Sequence, residues 1–311
     1  NLKMSDEQEV NFFNPLKRNI AKLLNAKEEH VAIMGSASEM LGQLPYIFKP
    51  KKNTKIVAVS TDFPALTRPW IAYCKIHSCE MHFVEDDKST NLTEQIIQAI
   101  DKRTAVVTVS LVQFSTGSKI DIQDLVAATK QAGAKLIIDI TQAAGAIPIS
   151  ARNIDADVLV CSGYKWLGGH GGIGIALTSP EFLKKDPIMT GWMGAPNPFK
   201  MQATDSSYSQ GARKYTMATM SYISIKGLEV AVNELLNLNI INVSIHANKL
   251  KTLLSNQLEE TRWNLYRPGD DISASSHIIS IESLSNNIRD NFEKLKKNAV
   301  ICGIRNDRIR I

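Results

Sequence analysis

From residue 31 onward, short apolar runs alternate with amphipathic stretches. Runs rich in β-branched residues predict strands at 31–33, 55–59, 80–84, 104–109, 135–139, 157–161 and 174–178. Helical patterns lie between them at 37–48, 65–75, 93–100 and 122–132. Residues 105–109 and 136–138 carry almost no polar side chain. Strands of that kind are buried on both faces. Alternating β and α segments with such strands predict an α/β fold, a mostly parallel sheet wrapped by helices.

The pattern changes after about residue 180. A polar stretch containing Pro and Gly covers 191–211, and long helices are predicted at 221–238 and 245–260. Short strands at 276–281 and 299–304 flank a helix at 289–297. Residues 1–219 are therefore expected to form a large α/β domain and 220–311 a smaller C-terminal α+β domain. No internal repeat interrupts this division. The chain opens without Met and stops on a strand-like run, 309–311, so both ends are expected to be incomplete.

Composition narrows the function classes. The 311 residues are 44% hydrophobic and 22% charged, an ordinary globular balance. The formal charge of +5 comes from scattered Lys and Arg, and the cluster at 49–52 is broken by Pro50. No nucleic-acid partner is expected from so dispersed a charge. Cys74, Cys79, Cys161 and Cys302 form no paired C-x-x-C spacing, so neither a metal site nor a disulfide framework is expected. No apolar run reaches the roughly 18 residues that span a bilayer, and no signal-peptide pattern opens the chain. A cytoplasmic protein without a membrane partner is the expectation.

The chemistry collects at strand ends, where ligands bind in open parallel sheets. Asp139 ends one apolar strand and Gln142 follows it; Ser162, Tyr164 and Lys165 follow the next. Alone, a strand-end Asp is more often a helix cap and a Lys there a surface residue. Together they suit pyridoxal 5'-phosphate (PLP). A lysine of lowered pKa, partly buried beside the cofactor, holds its aldehyde as a Schiff base, and a buried carboxylate keeps the ring nitrogen protonated. Gln142 offers a donor to the ring's phenolic oxygen. Ser36 to Glu39 reads as a capping box at a helix start, which also suits a phosphate. Phe63 follows the strand at 55–59 and offers a face for a flat ring. Residues 168–174 contain G-x-G-x-x-G, but that run leads into a strand pattern and not a helix, so a dinucleotide site is rejected.

Asp139-Ile140-Thr141-Gln142, then Ser162-Gly163-Tyr164-Lys165-Trp166, then the Gly-rich turn, resemble the class V aminotransferase family. Gly35 to Glu39, Phe63-Pro64, Pro69-Trp70 and Gln113 to Gly117 extend the resemblance over nearly the whole chain. It implies a PLP-dependent enzyme of fold type I, a homodimer with sites at its interface. It also implies an amino-acid substrate and transaminase or lyase chemistry. Lys165 and Asp139 are then the catalytic pair. Ala37, Ser38, Ser162 and Tyr164 reach the phosphate, joined from the neighbouring subunit by Thr219. Phe63 stacks on the ring, Gln142 meets its phenolic oxygen, and Arg310 binds the substrate carboxylate.

The alternatives are a kynureninase-like C–C hydrolase, a cysteine desulfurase, or a protein of this fold without turnover. A nucleotide-binding α/β protein without a Schiff base is the remaining rival. A desulfurase needs a nucleophilic Cys on a small-domain loop, whereas Cys302 is expected inside the strand at 299–304.

Overall fold

Buried apolar strands and the helices between them set the architecture. The computed structural model describes residues 4–88, 90–258, 261–268, 271–283 and 287–311. The chain starts with α1 (Asp6–Asn11) and α2 (Asn14–Leu23). Then follow β1 (Val31–Met34), α3 (Ala37–Phe48), β2 (Lys55–Val59), α4 (Pro64–His77), β3 (Glu80–Val84) and α5 (Leu92–Gln98). Next are β4 (Thr104–Ser110), α6 (Ile122–Ala132), β5 (Lys135–Asp139), β6 (Val158–Ser162) and β7 (Gly174–Thr178). The remainder comprises α7 (Tyr222–Leu238), α8 (Ile240–Leu258), β8 (Trp263–Leu265), β9 (Ser280–Ser283), α9 (Ile288–Lys297), β10 (Gly303–Arg305) and β11 (Arg308–Arg310).

Among the described residues, the large sheet has seven strands in the order β1-β7-β6-β5-β4-β2-β3. The pairs from β3 through β6 are parallel. Strand β7 runs antiparallel to both β6 and β1. Two reversals cancel, so β1 points the same way as β2 to β6. The carboxyl ends of these six strands therefore lie along one edge of the sheet.

Period-2 alternation explains the all-apolar strands. Val57, Val107, Leu136, Ile138 and Leu159 face one helical layer with Leu16, Ile20, Leu125 and Leu228. Their neighbours Ile56, Val106, Ile137, Val158 and Val160 face the other, with Met40, Leu44, Leu66 and Trp70. Helix α7 joins the first layer through Ile225, Leu228 and Val232. A second, antiparallel sheet has the order β10-β11-β9-β8, and α9 closes over its Ile281 and Ile309. The expected α/β fold with a mostly parallel sheet is what forms.

Several boundaries differ from the sequence reading. Helices α1 and α2 precede the first predicted strand; α2 buries Leu16 and Ile20 one turn apart. Helix α8 begins at Ile240 and not at residue 245; Glu259 and Glu260, its predicted last residues, lie outside the described ones. Strand β10 starts at Gly303, and Ala299, two residues after α9, adopts a left-handed conformation, φ 59°. Cys302 thus lies on the connection before β10, not within a strand. Among the described residues, no helix is long and apolar enough to cross a membrane, and no His/Cys/Asp/Glu group is arranged to hold a metal.

Candidate active site

The expected site residues of the large sheet follow the carboxyl ends of β1, β2, β5 and β6. Asp139 ends β5 and is buried. Its Oδ1 accepts a hydrogen bond from Thr141 N at 2.8 Å. Its Oδ2 accepts none among the described residues. Burial is the largest influence on this carboxyl and pushes its pKa up, against the Thr141 bond. A carboxylate so placed has one oxygen left for a cationic partner.

Gln142 follows on the turn after β5. Its Oε1 accepts from Trp166 Nε1 at 3.1 Å. That bond fixes which end of the amide is engaged: the NH2 group remains, and an NH2 group only donates. It also ties the turn after β5 to the turn after β6. Gly145 makes this approach feasible; a Cβ there would sit 2.3 Å from Trp166 O, and its φ is 95°.

Lys165 lies in the turn after β6, exposed, with Nζ 5.2 Å from the centre of the Tyr164 ring. It has no carboxylate partner among the described residues. The partial burial expected for this amine is not supplied by the chain, because the turn projects it beyond the sheet edge. Ser162 is half-buried and Tyr164 exposed beside it. Ser162 N donates to Thr141 Oγ1 at 3.1 Å, a second tie between the two turns.

Across β7, Ser162 and Met34 both pair with Gly174. The start of α3 crosses directly over that glycine: a Cβ on Gly174 would lie 2.1 Å from Ser36 C. Helix α3 begins with Ser36 as N-cap, its Oγ accepting from Glu39 N at 3.2 Å. The expected capping box is only half formed. The Glu39 carboxylate accepts from Gly35 N at 3.2 Å instead of from Ser36 N. Ala37 is buried and Ser38 exposed on the first turn, where free N–H groups suit an anion.

Phe63 stands exposed after β2, edge-on to Phe114 at 5.5 Å. Its neighbour Asp62 anchors this corner and was not singled out from sequence. Asp62 accepts from Val59 N at 3.1 Å, Ser110 N at 2.9 Å and Gln113 Nε2 at 2.8 Å. Burial still pushes its carboxyl up to about 6. His277 was also missed. It leads into β9, with Nε2 2.5 Å from Gln142 O and its ring edge-on to Trp166 at 4.8 Å. No local pattern marks a lone histidine before a short strand.

Arg310 belongs to β11, where its Nε is buried without a partner among the described residues. Its charge helps hold the His277 pKa down, second to burial among the lowering influences. Thr219 is exposed just before α7. Cys302 packs against the apolar side of the small sheet, and burial raises its thiol pKa. The run at 168–174 leads into β7, not into a helix, so the dinucleotide reading stays rejected.

Known proteins resemble this chain in sequence and in fold. The profile of the aminotransferase class-V family matches residues 4–302. An uncharacterised protein of Schizosaccharomyces pombe, C11D3.10, is 26% identical over 273 residues, which is 84% of this chain and 62% of that protein. The kynureninase of Yarrowia lipolytica is 29% identical over 233 residues, 70% of this chain and 53% of that enzyme. The chain thus spans between half and two thirds of these two relatives. A solved structure of a mutant of C-DES, with glycine covalently linked to its PLP cofactor, superposes with a TM-score of 0.86. It is 15% identical to this chain and covers 98% of it, while the chain covers 81% of that structure. At that identity the likeness shows the fold, and it is the expected one. The chain belongs to the class V aminotransferase family, whose cofactor is pyridoxal phosphate.

Proposed function

We propose that this chain acts on an amino acid through PLP held at Lys165, with the transaminase or lyase chemistry of its family. One observation carries the reading. The buried Asp139 at the end of β5, the free NH2 group of Gln142 on the next turn and the exposed amine of Lys165, without a carboxylate partner among the described residues, are brought together where Trp166 ties the two turns. This donor set fits a pyridine ring, with an acceptor for its protonated nitrogen, a donor for its phenolic oxygen and an amine for its aldehyde.

When bound, PLP supplies an aldehyde that captures amines and a protonated ring that accepts electron density. The chain's residues do the rest. Asp139 Oδ2 holds the proton on the ring nitrogen. Gln142 Nε2 donates to the phenolic oxygen. The N–H groups of Ala37 and Ser38 take the phosphate at the start of α3, with the hydroxyls of Ser38, Ser162 and Tyr164 around them. Phe63 would offer its ring as a cover for the cofactor. Lys165 Nζ would hold the cofactor aldehyde and, once free, would serve as the base or acid at the substrate carbon. Arg310 holds the substrate carboxylate.

We take residues 1–219 as the cofactor domain and 220–311 as the smaller one. Two chains would pair so that the exposed Thr219 reaches the neighbouring phosphate. Cys302 lies on a connection of the small domain, the kind of place a desulfurase nucleophile needs, but burial raises its thiol pKa and so disfavours the thiolate such a nucleophile requires. Purified protein supplied with PLP should absorb in the visible near ~420 nm. A panel of amino acids should then shift that band for at least one member. A colourless protein that leaves added PLP free refutes the reading.

A further inference from the structure

We propose that His277 is a positioning residue: a latch that holds the Lys165 turn and the Gln142 turn in register for the cofactor. The proposal deepens the function proposed above and rests on it. His277 Nε2 lies 2.5 Å from Gln142 O. A carbonyl only accepts, so Nε2 carries the hydrogen. The same ring meets Trp166 edge-on, at 4.8 Å and 87°. Trp166 Nε1 in turn donates to Gln142 Oε1 at 3.1 Å. The His277 and Trp166 side chains therefore close a triangle with Gln142, which is met at both its main-chain carbonyl and its side-chain amide, and Trp166 is the immediate neighbour of Lys165.

The segment delivering the imidazole is itself held. Lys119 N donates to Ser273 O at 2.6 Å, Ser275 N to Gly117 O at 3.0 Å, and Ser280 Oγ to Ser115 O at 2.6 Å. These bonds fasten residues 273–280 onto the loop after β4, so His277 presses on the two turns from a fixed base.

Packing alone does not account for a histidine here. A phenyl ring would fill the same space against Trp166. His277 Nδ1 is buried with no hydrogen-bond partner among the described residues, a cost that phenylalanine would avoid. What phenylalanine cannot supply is the donor to Gln142 O. Burial, the largest influence, together with the charges of Arg310 and Lys119, lowers the His277 pKa against the opposing bond to Gln142 O, and that bond requires the hydrogen on Nε2.

Two variants separate donor from ring. His277→Phe keeps the ring and removes the donor. His277→Gln places an amide N–H where Nε2 stands. The full chain, freed of PLP, is titrated with PLP by absorbance. Amide exchange of the 163–169 segment is measured without PLP, and melting temperatures are recorded for all three proteins. His277→Phe should weaken PLP binding about tenfold, the worth of one hydrogen bond, and speed exchange of that segment. His277→Gln should stay near wild type in both. Unchanged binding and exchange in His277→Phe, or an equal loss in both variants, overturns the latch. Should the wild type take up no PLP, the cofactor reading fails, and the exchange comparison alone decides the latch.

Discussion

At the scale of single residues, Asp139 combines a fit for a cation with a cost when none is present. Its carboxyl is buried, and its pKa is raised by desolvation. A group whose folded pKa is raised favours folding below the unfolded carboxylate value, and that favour is lost as pH rises through the folded pKa. Above it, the cofactor-free protein carries a buried charge with Thr141 as its hydrogen-bond donor. Asp139→Asn should therefore raise the stability of the cofactor-free protein near neutral pH by about 1–3 kcal/mol. The gain should vanish at about pH 4, where the carboxyl is protonated. The same variant should lose turnover by roughly a hundredfold or more. Thermal melts at the two pH values, with and without PLP, check the sign. The placement of Asp139 at the end of β5 and of Lys165 in the turn after β6 was legible in the sequence because each adjoins a recognisable apolar strand. His277 was not, because its meaning comes from Trp166 and Gln142, and 135 positions separate it from Gln142.

At the scale of elements, the large sheet was read closely and the small one poorly. Strands β2, β3, β5 and β7 and helices α3 and α6 have the expected bounds. Strands β2, β5 and β7 are mostly apolar runs, and α3 and α6 are amphipathic stretches with capped starts. The strands of the small sheet are three or four residues long and half-buried, too short for a period to register. Left-handed residues at Ala299, Asn306 and Asp307 lie between these elements, and Ala299 does not announce that conformation. The meeting of Gly174 with α3 is an element-scale feature that sequence hid inside a glycine run. A Cβ at 174 would lie 2.1 Å from Ser36 C and 2.3 Å from Ala37 N, both backbone atoms that cannot step aside alone. Gly174→Ala should cost about 1–3 kcal/mol through overpacking and displace the start of α3, weakening PLP binding. Gly171→Ala is the control, since a Cβ there meets nothing within 4 Å. Urea titration and PLP titration of the two variants should separate them; equal behaviour would refute the close approach.

At the scale of the molecule, the two sheets share a buried ion pair that no local reading suggests. Arg267, two residues beyond β8, donates from Nη2 to Asp86 Oδ1 at 2.7 Å, across 181 positions. Both side chains are buried. Thr116 Oγ1 donates to Asp86 Oδ2 at 2.8 Å, Arg267 Nε to Ser118 Oγ at 2.6 Å, and Arg267 Nη1 to Asp271 Oδ2 at 2.9 Å. The network fastens the segment after β8 to the loops after β3 and β4, and Arg310 rides on the same small sheet. Arg267→Met would strand the Asp86 charge and should cost about 3–5 kcal/mol in urea unfolding. The double variant Arg267→Met/Asp86→Leu should recover part of that loss. A double variant no more stable than the single one would refute this account of the pair.

The account turns on Lys165 as the amine that meets the cofactor aldehyde. Borohydride reduction of the PLP-loaded chain, followed by digestion and peptide mass mapping, tests it most directly. A pyridoxyl group on Lys165 and on no other lysine, absent from Lys165→Ala, is the predicted result. A label on another lysine, or a single-site label that survives in Lys165→Ala, would contradict it.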